Sequence, residues 1–166
     1  RAAPKGIGNA KAIGNYSASL LPQTIAKSQG YNDMIYVHAK NEQFIEEMGA
    51  ANLFVVSNGE LLTPKLGGSI LDGVTRDSVI KIARDLLNLN VHETDIDIDT
   101  LLNAEEVFCC GTAVTVTGVG KISTAENEFC IGDGGFGEKT LELKKLLLGI
   151  QNEEIDDPFG WIFPID

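Results

Sequence analysis

Positive charge is scarce in this sequence. Only 13 lysines and arginines stand against 24 aspartates and glutamates in 166 residues, for a net charge of −11. A field of that sign repels nucleic acid and anionic lipid headgroups, so neither is an expected partner. Long apolar runs are missing as well. None approaches the roughly 18 residues that a bilayer-spanning helix needs, so no membrane segment is expected. Cysteine is rare and odd in number, with Cys109 and Cys110 adjacent, Cys130 apart and no C-x-x-C pair. Disulfide frameworks and thiolate metal centres therefore lack support, and His38 and His92 stand alone, so no metal is expected. A starting Met and a signal-peptide pattern are absent too. The chain opens inside the loop-like RAAPKGIGN and reads as an intracellular piece of a longer protein.

What is present is globular: 43% hydrophobic residues with 18 glycines and 5 prolines, enough for one domain over residues 1–166. Apolar Leu20, Leu21 and Ile25 predict a helix from Tyr16 to Gln29, with Pro22 as a possible kink. Short strand-like runs follow from Met34, Gln43, Leu53 and Glu60, and Ser57-Asn58-Gly59-Glu60 reads as a hairpin turn. Val79, Ile80, Ala83, Leu86 and Leu87 lie on one face of a helix that Thr75 would cap. A strand from Asn90, a short helix in DTLLNAEE, three more strands and a last helix from Glu138 to Gln151 complete the chain. This order predicts an α+β domain with mixed or antiparallel strands flanked by helices. The acidic tail is expected to lie on the surface, pinned by Phe159, Trp161 and Phe163.

Two glycine-rich turns precede helices, and both look like anion sites. Gly132, Gly134 and Gly137 spell G-x-G-x-x-G, but no second strand with an acidic residue follows, so a structural turn with positive φ at Gly134 or Gly135 is the better expectation. The turn Leu71-Asp72-Gly73-Val74-Thr75 offers free N–H groups and a hydroxyl, and Gly111-Thr112-Ala113 offers more. These two are expected to converge on one anion. Lys11 lies among small residues, a setting that lets a lysine approach a carbonyl.

In this order and spacing the motifs resemble the large domain of the branched-chain amino acid aminotransferases, fold type IV enzymes that use pyridoxal 5′-phosphate. The likeness rests on RAAP, K-x-x-G-N-Y from Lys11 to Tyr16, E-x-G-x-x-N-L-F from Glu47 to Phe54, L-x-G-x-T-R-D from Leu71 to Asp77, G-T-A at Gly111 to Ala113, and Gly-Trp near the end. The D-amino acid aminotransferases and aminodeoxychorismate lyases share that fold and are alternatives, as is a non-catalytic cofactor-binding module.

The resemblance implies that Lys11 bonds the cofactor and then carries the substrate proton. Tyr16 would bond the cofactor's phenolic oxygen and Glu47 its ring nitrogen, with Leu71 packed on the ring. Val74, Thr75 and Thr112 would hold the phosphate, and Thr112 and Ala113 the substrate carboxylate. The substrates would be an amino acid (leucine, isoleucine or valine) and 2-oxoglutarate. An N-terminal small domain is missing, and the family assembles as homodimers. Ile13 stands where many relatives have glycine and Asp72 where proline is frequent, while Val114 and Thr117 occupy the places of a C-x-x-C that some animal members carry.

Overall fold

A computed structural model describes residues 1–3 and 5–165. Two short helices, α1 (Gly14–Ser17) and α2 (Leu20–Ser28), lead into strands β1 (Ile35–His38), β2 (Asn41–Met48), β3 (Ala51–Ser57) and β4 (Glu60–Pro64). Helix α3 (Val74–Asp85), strand β5 (Val91–Thr94), helix α4 (Ile98–Leu102) and strands β6 (Glu106–Gly111) and β7 (Thr115–Gly118) follow. A small hairpin, β8 (Lys121–Ser123) and β9 (Glu128–Cys130), precedes the last helix, α5 (Glu138–Gln151). No helix among the described residues is long and apolar enough to cross a membrane.

Strand β3 organises the molecule. One edge pairs along its length with β6; the other pairs with β2 at its start and with β4 at its end. All pairings are antiparallel except β4 with β5, so the sheet is mixed, as expected. The continuous apolar run Leu53 to Val56 follows from cover on both faces. Phe54 and Val56 point into a cluster with Val79 and Ile82 of α3 and Leu143, Leu147 and Ile150 of α5. Leu53 and Val55 point the other way, toward Ile45, Ile96, Leu101 and Val107. Phe54 faces Phe108 across the register and the rings stack at 5.0 Å, which locks β3 against β6.

The turn at Asn58 and Gly59 has positive φ at both residues (52° and 73°), and it joins Ser57 to Glu60 as the sequence predicted. Three expectations need correction. The first helix is two, because the chain breaks at Ala18 and Ser19; Pro22 then falls in the first turn of α2, where its missing N–H costs nothing. The cap of α3 is Gly73, one residue before the helix starts at Val74, so Thr75 lies inside it. In the tail, Phe159 and Trp161 stack at 4.3 Å and pack on the core with Ile162, but Phe163 is 86% exposed and pins nothing.

Candidate active site

The E-x-G-x-x-N spacing becomes geometry in the β2–β3 hairpin. Met48 faces Ala51 and Glu47 faces Asn52, so the two polar side chains stand side by side on adjacent strands. The turn needs Gly49, whose φ is +54° and whose missing Cβ leaves room for the Asp33 carboxylate. Glu47 and Asn52 then grip one residue. Asn52 Nδ2 donates to the Leu71 carbonyl (2.8 Å), and the Leu71 N–H donates to Glu47 Oε2 (3.4 Å). Asn52 Oδ1 fills the space where any side chain at Gly73 would stand. The hairpin thus fixes both Leu71 and the entry to α3.

Glu47 is 2% exposed. Its other oxygen accepts from Arg1 Nη2 at 2.5 Å, and the Arg1 guanidinium lies over the Tyr16 ring, 4.8 Å from its centroid. Burial pushes the Glu47 carboxyl above its ordinary range, and the Arg1 hydrogen bond and charge pull it back part of the way. The sequence had singled out Glu47 alone on this strand. Glu46 beside it is buried as well and accepts from the Ser69 hydroxyl, so two neighbouring acids anchor the loop from Ser69 to Leu71.

Lys11 is exposed and follows a loop that Asn15 ties down, Nδ2 donating to the carbonyls of Ile7 and Ala10 at 2.8 Å each. That loop rests on the Ser69 backbone through Gly8, where a Cβ has no room. Arg1, Tyr16, Glu47 and Leu71 are thus joined by direct contacts, and the lysine loop meets the Ser69–Leu71 segment through Gly8.

The two glycine-rich helix starts differ decisively. At α5 the Glu106 carboxylate already accepts from the Lys139 N–H (2.9 Å), the Thr140 N–H (2.8 Å) and the Thr140 hydroxyl (2.7 Å). A cavity of about 210 Å³ beside it is bordered by Glu105, Glu106, Asp133 and Glu138, a lining that repels phosphate. Gly134 has φ +83°, as expected of a structural turn. Glu106→Ala is accordingly expected to destabilise the protein by about 1–3 kcal/mol, the cost of orphaning buried donors. An unchanged thermal midpoint would show that the cap contributes nothing.

At α3, by contrast, the capping residue is Gly73, which has no side chain to offer, and the first backbone hydrogen bond runs from the Asp77 N–H to the Gly73 carbonyl. The N–H groups of Val74 and Thr75 have no acceptor within the helix, as in any first helical turn. The G-T-A turn closes the end of β6: Gly111 lies against Ala50 and Ala51, its neighbour Cys110 faces Asn52, and Thr112 and Ala113 are exposed beyond it. Both turns thus flank residues 50–52. Among the described residues no cluster of three or more His, Cys, Asp or Glu could hold a metal ion.

The thiols lie outside this arrangement. Burial on β6 pushes the Cys109 thiol up to about 11 and Cys110 higher still, while Cys130 is exposed. One thiol of the three is expected to react with Ellman's reagent at pH 8 in the native state and all three after denaturation. Rapid native labelling of Cys109 or Cys110 would mean that the sheet opens.

Sequence reasoning assigned no role to Arg1, Glu46 or Asn52. Asn52 had a usable signal, its fixed distance from Glu47 across a glycine turn. Arg1 had only the RAAP motif, which says nothing of a partner 46 residues away.

The sequence pattern of the class IV amino-transferases matches residues 2–122. A chloroplastic branched-chain amino acid aminotransferase of Arabidopsis thaliana is 39% identical over 161 residues, which are 97% of this chain and 39% of that protein. The crystal structure of the Escherichia coli branched-chain amino acid aminotransferase superposes with a TM-score of 0.87 at 36% identity, over 97% of this chain and 52% of that one. The branched-chain amino acid aminotransferase of Thermobaculum terrenum in its PLP form superposes with a TM-score of 0.82 at 28% identity, over 90% of this chain and 47% of that one. The chain thus spans about half the length of these relatives or less.

Proposed function

Because the chain belongs to the class IV amino-transferases, we propose that it is the C-terminal, lysine-bearing domain of a pyridoxal 5′-phosphate enzyme that moves the amino group of leucine, isoleucine or valine to 2-oxoglutarate. The observation that carries this reading is the pairing of a buried carboxylate at Glu47 with an uncapped helix start at Gly73, both fixed to Leu71. A flat ring with an acidic N–H at one end and a phosphate at the other suits that pair. The Thermobaculum relative carries the same cofactor.

In this reading Glu47 accepts from the ring N–H, Tyr16 meets the phenolic oxygen, and Leu71 packs on the ring face. Val74 and Thr75 hold the phosphate through backbone N–H groups and the Thr75 hydroxyl, with Thr112 beside them. When bound, the cofactor supplies an electron sink for the charge left at the substrate α-carbon. Lys11 Nζ takes the proton from that carbon and returns it to the other reacting carbon, a single base serving both transfers. The amides of Thr112 and Ala113 receive the substrate carboxylate. The amino acid donates in the first half of the cycle and 2-oxoglutarate accepts in the second.

We propose further that an N-terminal small domain and a second copy of the protein complete the pocket. Ile13, Leu20 and Leu21, close to Lys11 in sequence, are 89%, 63% and 70% exposed, an apolar surface that asks for cover. The test is glutamate formation from 2-oxoglutarate by the whole protein with each L-amino acid and with D-alanine in turn. Leucine, isoleucine and valine are expected to react fastest. D-alanine as the preferred donor would move the protein to the D-amino acid aminotransferases, and no transfer from any donor would leave a binding module.

A further inference from the structure

Arg1 touches both groups that the reading above sets around the cofactor ring. Its side chain is 1% exposed, Nη2 bonds Glu47 Oε1, and its guanidinium covers the Tyr16 ring. Only that one nitrogen is used, since Nε and Nη1 are buried without a partner. We propose that Arg1 is a positioning residue that holds Glu47 as a carboxylate and Tyr16 in place before any cofactor enters. The proposal rests on the cofactor reading of this site.

The physical argument is about a lone buried acid. A carboxylate removed from water takes up a proton unless it is paired. A protonated Glu47 would present an O–H donor where a ring N–H needs an acceptor. The other groups near this carboxyl do not supply the missing charge. Glu46, next on β2, is acidic and pushes Glu47 further up, and the Leu71 N–H is a single long hydrogen bond. Arg1 is the cation that faces it among the described residues. Arginine also suits the second task, because a planar guanidinium stacks on an aromatic face and an ammonium does not.

The test follows the Glu47 carboxyl itself, in the whole protein freed of cofactor. Infrared titration reads the protonated-carboxyl band that disappears in Glu47→Gln. In Arg1→Met the midpoint of that band should move up by about one pH unit or more relative to wild type, with Arg1→Lys between the two. A midpoint unchanged in folded Arg1→Met would overturn the proposal. If Arg1→Met does not fold, Arg1→Met/Glu47→Gln decides, because it removes both charges. Recovery of folding in the double variant supports the pairing; continued unfolding would overturn it by showing that Arg1 serves the structure apart from Glu47. Cofactor uptake by wild type is measured separately, so a protein that never binds pyridoxal 5′-phosphate would sink the functional reading and leave the titration to decide on Arg1.

Discussion

Lys11→Ala is expected to lower transamination by at least about a thousandfold, the combined loss of the covalent anchor and of the base that moves the substrate proton. Thermal stability should hardly change. The Lys11 side chain is exposed and makes no hydrogen bond or ion pair among the described residues, while the loop before it is held by Asn15 and by Gly8 on Ser69. Exposed substitutions of that kind stay within about 0.5 kcal/mol. A coupled assay of glutamate formation and a melting curve on the same preparation separate chemistry from folding. Retention of a tenth of the activity would take Lys11 out of the mechanism.

Glu47→Gln should lower turnover by about 10²–10³-fold, the effect typical of removing one preorganised charge contact from a reacting centre. The amide keeps the shape of the carboxylate and can still accept from Leu71, so cofactor affinity should fall less than turnover does. It cannot hold the ring nitrogen protonated, and it leaves the buried Arg1 charge unpaired. The pH dependence has a definite sign. The Glu47 carboxyl lies above its ordinary value in the folded protein, so its ionised form costs stability at neutral pH. That cost fades as pH falls through the folded-state value toward the ordinary carboxylate range, and then disappears. Wild type should therefore show a stabilising contribution on mild acidification that Glu47→Gln lacks, measured as the difference between their unfolding free energies across pH.

Much of the fold was legible because its signals are local. The hairpin at Asn58 and Gly59 needs positive φ at both residues, and asparagine followed by glycine supplies it. Helices α3 and α5 carry apolar residues at helical spacing, and both lie where that spacing put them. The apolar run from Leu53 read as a strand, and β3 lies there. The exposed face of α2 was not legible. Leu20, Leu21 and Ile25 look like a core stripe, yet all three face solvent, because periodicity tells which residues share a face and not what covers it.

At the site, the motifs marked Lys11, Tyr16, Glu47, Leu71 and the two turns; their individual roles are proposals, and the variants above address those of Lys11 and Glu47. The side chains that hold these groups together were beyond the motifs. Asn52 acts through the Leu71 carbonyl, Glu46 through Ser69, and Arg1 through Glu47. Such pairings depend on strand register and loop packing, which a single sequence does not express. The choice between the two glycine-rich turns is the clearest instance. The sequence favoured a structural turn at residues 132–137, and only the fold shows the side chain that serves it, Glu106 of β6 bonded to the Lys139 and Thr140 N–H groups.

The central claim is that Lys11 is the residue that bonds the cofactor, and chemical fixation tests it directly. The whole protein is mixed with pyridoxal 5′-phosphate, reduced with borohydride and digested, and the peptides are weighed. The account predicts visible absorbance before reduction and one equivalent of cofactor mass on the peptide containing Lys11. Lys5 lies in the same loop outside the K-x-x-G-N-Y motif and should stay unmodified. Cofactor mass on Lys5, or spread over the surface lysines, would contradict the account.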